Sequence, residues 1–161
     1  MAVYALGDRV PSIDPTAFVH PEAVVIGDVR IGPDSSVWYN CVIRGDANRV
    51  VIGARTNIQD GSVIHATLEM PTHIGDGCVV GHLVHMECCT VEDGALVGSG
   101  SIVLHRAIVR SGALVGAARL AGLPAEYREL RSTKGHDGFL TEWDQLTSVI
   151  GEIPGAQSKK T

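Results

Sequence analysis

Between Gly81 and Thr90 the chain reads Gly-His-Leu-Val-His-Met-Glu-Cys-Cys-Thr, which crowds His82, His85, Glu87, Cys88 and Cys89 into one short stretch. A further imidazole, His65, lies in Ile64-His65-Ala66. Imidazole, carboxylate and thiolate are the groups that hold zinc, and a site that keeps one position open acidifies water there. The competing reading is that these side chains are solvated or interface polar groups. A local zinc knot of His82, His85, Cys88 and Cys89 is a poorer fit, because adjacent cysteines rarely turn both sulfurs to one tetrahedral ion. Cys41 and Cys78 read as small buried residues.

What must position these groups is a repeat. Apolar residues recur every six positions at Ile13, Val19, Val25, Ile31, Val37 and Ile43, then at Ile52, Ile58 and Ile64. The series resumes at Ile74, Val80 and Met86, and again from Val91 through Val97, Val103 and Val109 to Val115. Four residues after each marker stands something small or β-branched, such as Ser35, Cys41, Thr56, Ser62 or Cys78. A period of six is neither helical nor a simple alternation; it is the hexapeptide signature of a parallel β-helix, with three hexads closing one coil.

Three irregularities interrupt the period, all near the His cluster. Residues 45–51 hold a three-residue insertion, residues 66–73 a four-residue one, and one residue is missing between Met86 and Val91. With hexads assigned to three faces, one outward column becomes Ile26, Arg44, His65, Glu87 and Leu104. A corner column becomes Tyr39, Asp60, His82 and Ser99. Strands in adjacent coils lie about 4.8 Å apart, so His65 and Glu87 are expected to be direct neighbours, as two ligands of one ion would be. His82 sits at the far end of the strand that carries Glu87, up to ~16 Å away along an extended path. It is therefore expected to reach that ion from a neighbouring subunit, and three faces make a cyclic trimer the natural closure.

The totals fit this plan. The chain has 161 residues, 45% of them apolar but only 4% aromatic, with 19 glycines. That mixture suits stacked rows of Val and Ile turning at small residues. A net charge of −5 without a basic stripe argues against nucleic acid as a partner. No window approaches the ~20 apolar residues of a membrane span, and no secretory signal is expected at the N-terminus. Four cysteines do not read as a disulfide framework, so a reducing, cytoplasmic setting is expected. The period stops near Leu120, giving a β-helix over residues 1–120 and a C-terminal segment over 121–161. There Phe139, Leu140, Trp143, Leu146, Val149 and Ile150 recur at helical spacing.

Val37-Trp38, Ile43-Arg44-Gly45-Asp46, the run from Ile52 through Asn57-Ile58-Gln59-Asp60-Gly61 to His65, Val80-Gly81-His82 and Leu123-Pro124-Ala125 together resemble the γ-class carbonic anhydrase family. The resemblance implies an all-β solenoid, a left-handed parallel β-helix with a C-terminal α-helix, assembled as a homotrimer. It also implies zinc (or iron or cobalt) between subunits, and reversible hydration of carbon dioxide to bicarbonate by metal-bound hydroxide. His65 and His82 match two ligand positions, Arg44 and Asp46 an interface ion pair, and Gln59 and Asp60 residues that line the pocket and orient water. At the third ligand position the family carries His where this chain has Glu87, itself a competent zinc ligand; His85 is its rival. The family's Glu after Arg-Gly-Asp is Ala47 here. Glu69, or else His73, stands where a proton shuttle would be. Two other functions share the scaffold: a CoA-linked hydrolase or acyltransferase, and a non-catalytic binding or assembly module.

Overall fold

Stacking the hexads produces three inward ladders. Val25, Ile43, Ile64, Met86 and Val103 pair in parallel register on the first face. Ile13, Ile31, Ile52, Ile74, Val91 and Val109 do so on the second. Val19, Val37, Ile58, Val80, Val97 and Val115 make the third. From Val25 to Val115 no ladder side chain is more than 3% exposed. The core is thus a column of β-branched side chains (Met86 excepted) packed one coil above another, which is why the composition needs so few aromatic rings.

This all-β parallel solenoid comes from a computed structural model that describes residues 2–116 and the strand Arg119–Leu120. The C-terminal helix expected over 121–161 lies outside the described residues. Among those described, no helix is long and apolar enough to cross a membrane.

The small residues four places after each marker close the corners. Ser35, Thr56 and Ser62 are buried, and their hydroxyls donate to the carbonyls of Gly53, Gly75 and Gly81 in the following coil at 2.6–2.8 Å. The same oxygens accept from the backbone N–H groups of Thr56, Cys78 and Val84. A hydroxyl here satisfies a donor and an acceptor that a tight turn would leave orphaned, at a position with no room for a larger polar group.

All three breaks in the period fall at one corner, between the first and second faces. Strands Val24–Ile31 and Val42–Ile52 run unbroken round it, so one eleven-stranded sheet covers both faces while a six-stranded sheet makes the third. Only Asp28 separates Gly27 from Val29, whereas residues 46–49 separate Gly45 from Val50, and the register shifts there. Gly27, at φ +83°, and Gly45 lie backbone to backbone: a Cβ on either would strike the other coil, at Gly45 and Asp28 respectively. The second insertion folds over the first, with Thr67 bridging Met70 and Asn48 Nδ2 donating to the Leu68 carbonyl at 3.3 Å. Where a residue is missing, Cys88 takes the left-handed conformation at φ +53° to complete the shortened turn.

Candidate metal centre

The insertion corner gathers a line of charged and titratable groups. Ile26 pairs with Arg44, Arg44 with His65, and His65 with Glu87, so the expected outward column exists in register. His65 Nδ1 lies 2.8 Å from Glu87 Oε2, and its Nε2 lies 3.0 Å from Asp46 Oδ1. Arg44 Nη1 donates to Asp46 Oδ2 at 2.9 Å. Arg9 Nη1 also donates to the Asp46 carbonyl. His65 is thereby bracketed by carboxylates on both nitrogens, with a side chain only 14% exposed.

The insertions provide the walls. A cleft of about 430 Å³ opens over Arg44, Asp46, His65, Thr67, Glu69 and His105. The buried Thr72 hydroxyl donates to the His65 carbonyl at 2.5 Å and accepts from the Cys88 N–H at 2.7 Å. This tie fixes the backbone of His65 against the turn that follows Glu87.

Electrostatics follow the contacts. The hydrogen bond from His65 holds the Glu87 carboxyl below its ordinary range, with the charges of His65, His105 and His85 adding to it against the effect of burial. For Asp46, burial pushes the pKa up, but its own backbone N–H, Arg44 and His65 together outweigh it and leave the carboxyl lowered. Burial pushes the Cys89 thiol up to about 12, so that sulfur is a packing atom rather than a nucleophile.

The other expected residues lie elsewhere. His82 sits at the preceding corner, between the third and first faces, where its Nδ1 is 3.0 Å from Asp60 Oδ2 and both side chains are about half exposed. Gln59 precedes Asp60 at that corner, its N–H donating to the Val80 carbonyl. His85 pairs with Val63 rather than His65, as its place two residues before Glu87 requires. Glu69 lines the cleft, whereas His73 pairs with Thr90 and Val51 on the second face.

One member of the cluster was not expected from sequence. His105 Nε2 lies 3.0 Å from Glu87 Oε1. The outward column ends with Leu104 above Glu87, which draws the eye away from the next residue. The signal lay in the corner: Leu104-His105-Arg106 turns directly above Glu87-Cys88-Cys89, with the Arg106 N–H donating to the Cys88 carbonyl.

The donor set suits a divalent ion. Two atoms bonded to one zinc ion at about 2.0–2.2 Å sit roughly 3.4 Å apart in a tetrahedron. The His65–Glu87 pair at 2.8 Å needs only a small opening to reach that separation. One hydrogen bond of His65 would have to be given up.

No family model matches the chain. It is 45% identical over 119 residues to gamma carbonic anhydrase 2, mitochondrial, of Arabidopsis thaliana, an alignment covering 70% of this chain and 43% of that protein. It is 43% identical over 110 residues to a carbonic anhydrase of Geobacillus kaustophilus, covering 68% of this chain and 60% of that one. This chain therefore spans less than two thirds of the length of these two relatives. A solved hexapeptide transferase family protein from Anaplasma phagocytophilum superposes with a TM-score of 0.65 at 31% identity, covering 92% of this chain and 94% of the other. With the hexad ladders and these identities together, the chain belongs to the γ-carbonic anhydrase-like hexapeptide-repeat family.

Proposed function

We propose that this protein is a metal-dependent carbonate dehydratase, hydrating carbon dioxide reversibly at a centre anchored by His65 and Glu87. The observation that carries this reading is the 2.8 Å approach of the His65 imidazole, which lines the cleft, to the Glu87 carboxylate, in a family with relatives named carbonic anhydrases. A zinc, iron or cobalt ion, when bound, supplies the Lewis acidity that brings the pKa of water toward about 7.

The chain's own groups do the rest. Asp46, itself held by Arg44, orients the His65 ring by its contact to Nε2 and leaves Nδ1 directed at Glu87. Glu69 stands exposed beside the cleft, where it can pass protons to bulk water. A carboxylate in place of a third imidazole lowers the net charge of the centre, so water acidifies less and hydration is slower than at a three-imidazole site.

The first face supports assembly into a trimer; the β-helix itself is read as left-handed, as in the family it resembles. One of that face's outward columns runs Val24, Val42, Val63, His85 and Ile102, a mostly apolar strip interrupted by one imidazole and lying between the two corners. Packing that face against a neighbouring subunit would bring the Gln59, Asp60 and His82 corner of one copy toward the His65 and Glu87 corner of another.

The test is stopped-flow hydration of carbon dioxide by protein loaded with zinc, cobalt or ferrous iron, before and after chelation. Hydration above the buffer rate that disappears with the metal is expected. Fully loaded protein with no such activity would overturn the reading. The likeness to a hexapeptide transferase makes acyl transfer the second reading, and turnover of acetyl-CoA by the same sample would favour it.

A further inference from the structure

Glu87 is held from two sides. Its Oε2 lies 2.8 Å from His65 Nδ1, and its Oε1 lies 3.0 Å from His105 Nε2. An ionised carboxylate only accepts hydrogen bonds, so His105 Nε2 carries the proton and donates it. The backbone fixes the same approach. The Arg106 N–H donates to the Cys88 carbonyl at 2.8 Å and the Ala107 N–H to the Leu104 carbonyl at 3.0 Å, which ties the turn carrying His105 to the turn that follows Glu87. The Cys88 sulfur lies within 4.8 Å of a Glu87 oxygen and a His105 nitrogen, but it is committed elsewhere. It accepts from the Thr67 N–H at 3.2 Å and turns its own S–H to the Met70 carbonyl at 3.3 Å. Those contacts make it a wall of the centre.

We infer that His105 is a positioning residue for Glu87: by engaging Oε1 it leaves Oε2, the oxygen on the His65 side, to bind the ion. This rests on the reading that an ion is anchored at His65 and Glu87, and it adds a contact outside the expected ligand set. The two hydrogen bonds on Glu87 differ in what metal loading does to them. The one between His65 Nδ1 and Oε2 must be given up, because both atoms are donors to the ion. The one between His105 and Oε1 can stay. A carboxylate lacking that second contact can rotate or chelate through both oxygens, whereas one pinned at Oε1 presents a single donor in a fixed direction. His105 lines the cleft and is half exposed, so it makes this contact without belonging to the packed core. The remaining ligand position is left to another subunit, with His82 of a neighbouring copy the group that the proposed assembly brings toward it.

The experiment titrates the full-length protein with Co²⁺ alone, following visible absorption and competition with a chelator. The same titration is run on His105→Ala and His105→Gln. His105→Ala should weaken Co²⁺ binding about tenfold and alter the visible bands as the carboxylate loses its fixed orientation. His105→Gln keeps an N–H donor at the same reach and should return affinity to within about threefold of wild type, with the original bands. That rescue separates a lost hydrogen bond from a folding defect. His105→Ala with wild-type affinity and bands would overturn the inference and leave the proposed function standing. So would His105→Gln as weak as His105→Ala, because the ring and not its hydrogen bond would then matter. Binding weakened by Ala and rescued by Gln, beside a loaded wild-type protein that hydrates no carbon dioxide, would uphold the positioning role and reject the function. Wild-type protein that takes up no Co²⁺ would reject both.

Discussion

Two corners of the same coil each carry a histidine facing a carboxylate, and they differ in almost everything else. At the plain corner His82 meets Asp60 with 54% and 45% of the two side chains exposed. At the insertion corner His65 meets Asp46 and Glu87 with only 14% of its side chain exposed, under walls built from seven extra residues in two loops. The repeat places both outside the core, His65 one residue and His82 two residues after its marker. The insertions make the difference: they remove water from one pair and leave the other solvated. Since charges interact far more strongly where water is excluded, only the first corner can hold its donors in a fixed geometry at low cost. Reactive potential in a solenoid thus resides where the period fails.

That contrast can be broken most sharply at Glu87. Glu87→Ala removes the carboxylate shared by two imidazoles, and metal content by elemental analysis should fall from stoichiometric to near background. Retention of metal in this variant would place the ion elsewhere. Next in size is the ladder beneath the corner. Ile64 is wholly buried between Ile43 and Met86, and Ile64→Ala should cost about 2–5 kcal/mol in denaturant unfolding. A smaller cost would mean that the coil collapses around the cavity.

Acid provides the third probe. The Glu87 pKa is depressed in the folded protein below its ordinary 4.5, so its contribution to stability is fully present above that value and is lost as pH falls through the folded pKa. Unfolding midpoints measured from about pH 6 down to about pH 3 should decline, and Glu87→Gln should flatten part of that decline. An identical slope in the variant would show that Asp46 or other carboxylates carry the effect. The smallest change is expected at the plain corner: Asp60→Asn breaks an exposed pair and should alter stability by less than about 1 kcal/mol. A larger loss would mean that this corner is covered in the assembled protein.

The comparison also separates what could be read in advance from what could not. The six-residue period specified which side chains point inward, and parallel stacking turned a distance of 22 residues into the direct pairing of His65 with Glu87. Arg44 fell into the same column for the same reason. The solvation of each corner did not follow from spacing, because Thr67, Leu68 and Glu69 form a wall only once the second insertion folds back on the first. Asp46 was legible as the partner of Arg44, but its second contact, to His65, depends on the turn that begins where Gly27 and Gly45 touch.

By itself, then, the sequence determined the ladders, the register and the column in which a carboxylate stands beside an imidazole. These are consequences of a fixed period, which propagates from coil to coil between the breaks. The corner column already set His82 beside Asp60, but only the tertiary structure decided that their side chains meet and that His105 faces the second oxygen of Glu87. The period assigns residues to corners but not the direction of their side chains, which is set by local backbone turns and by whichever charge lies within reach.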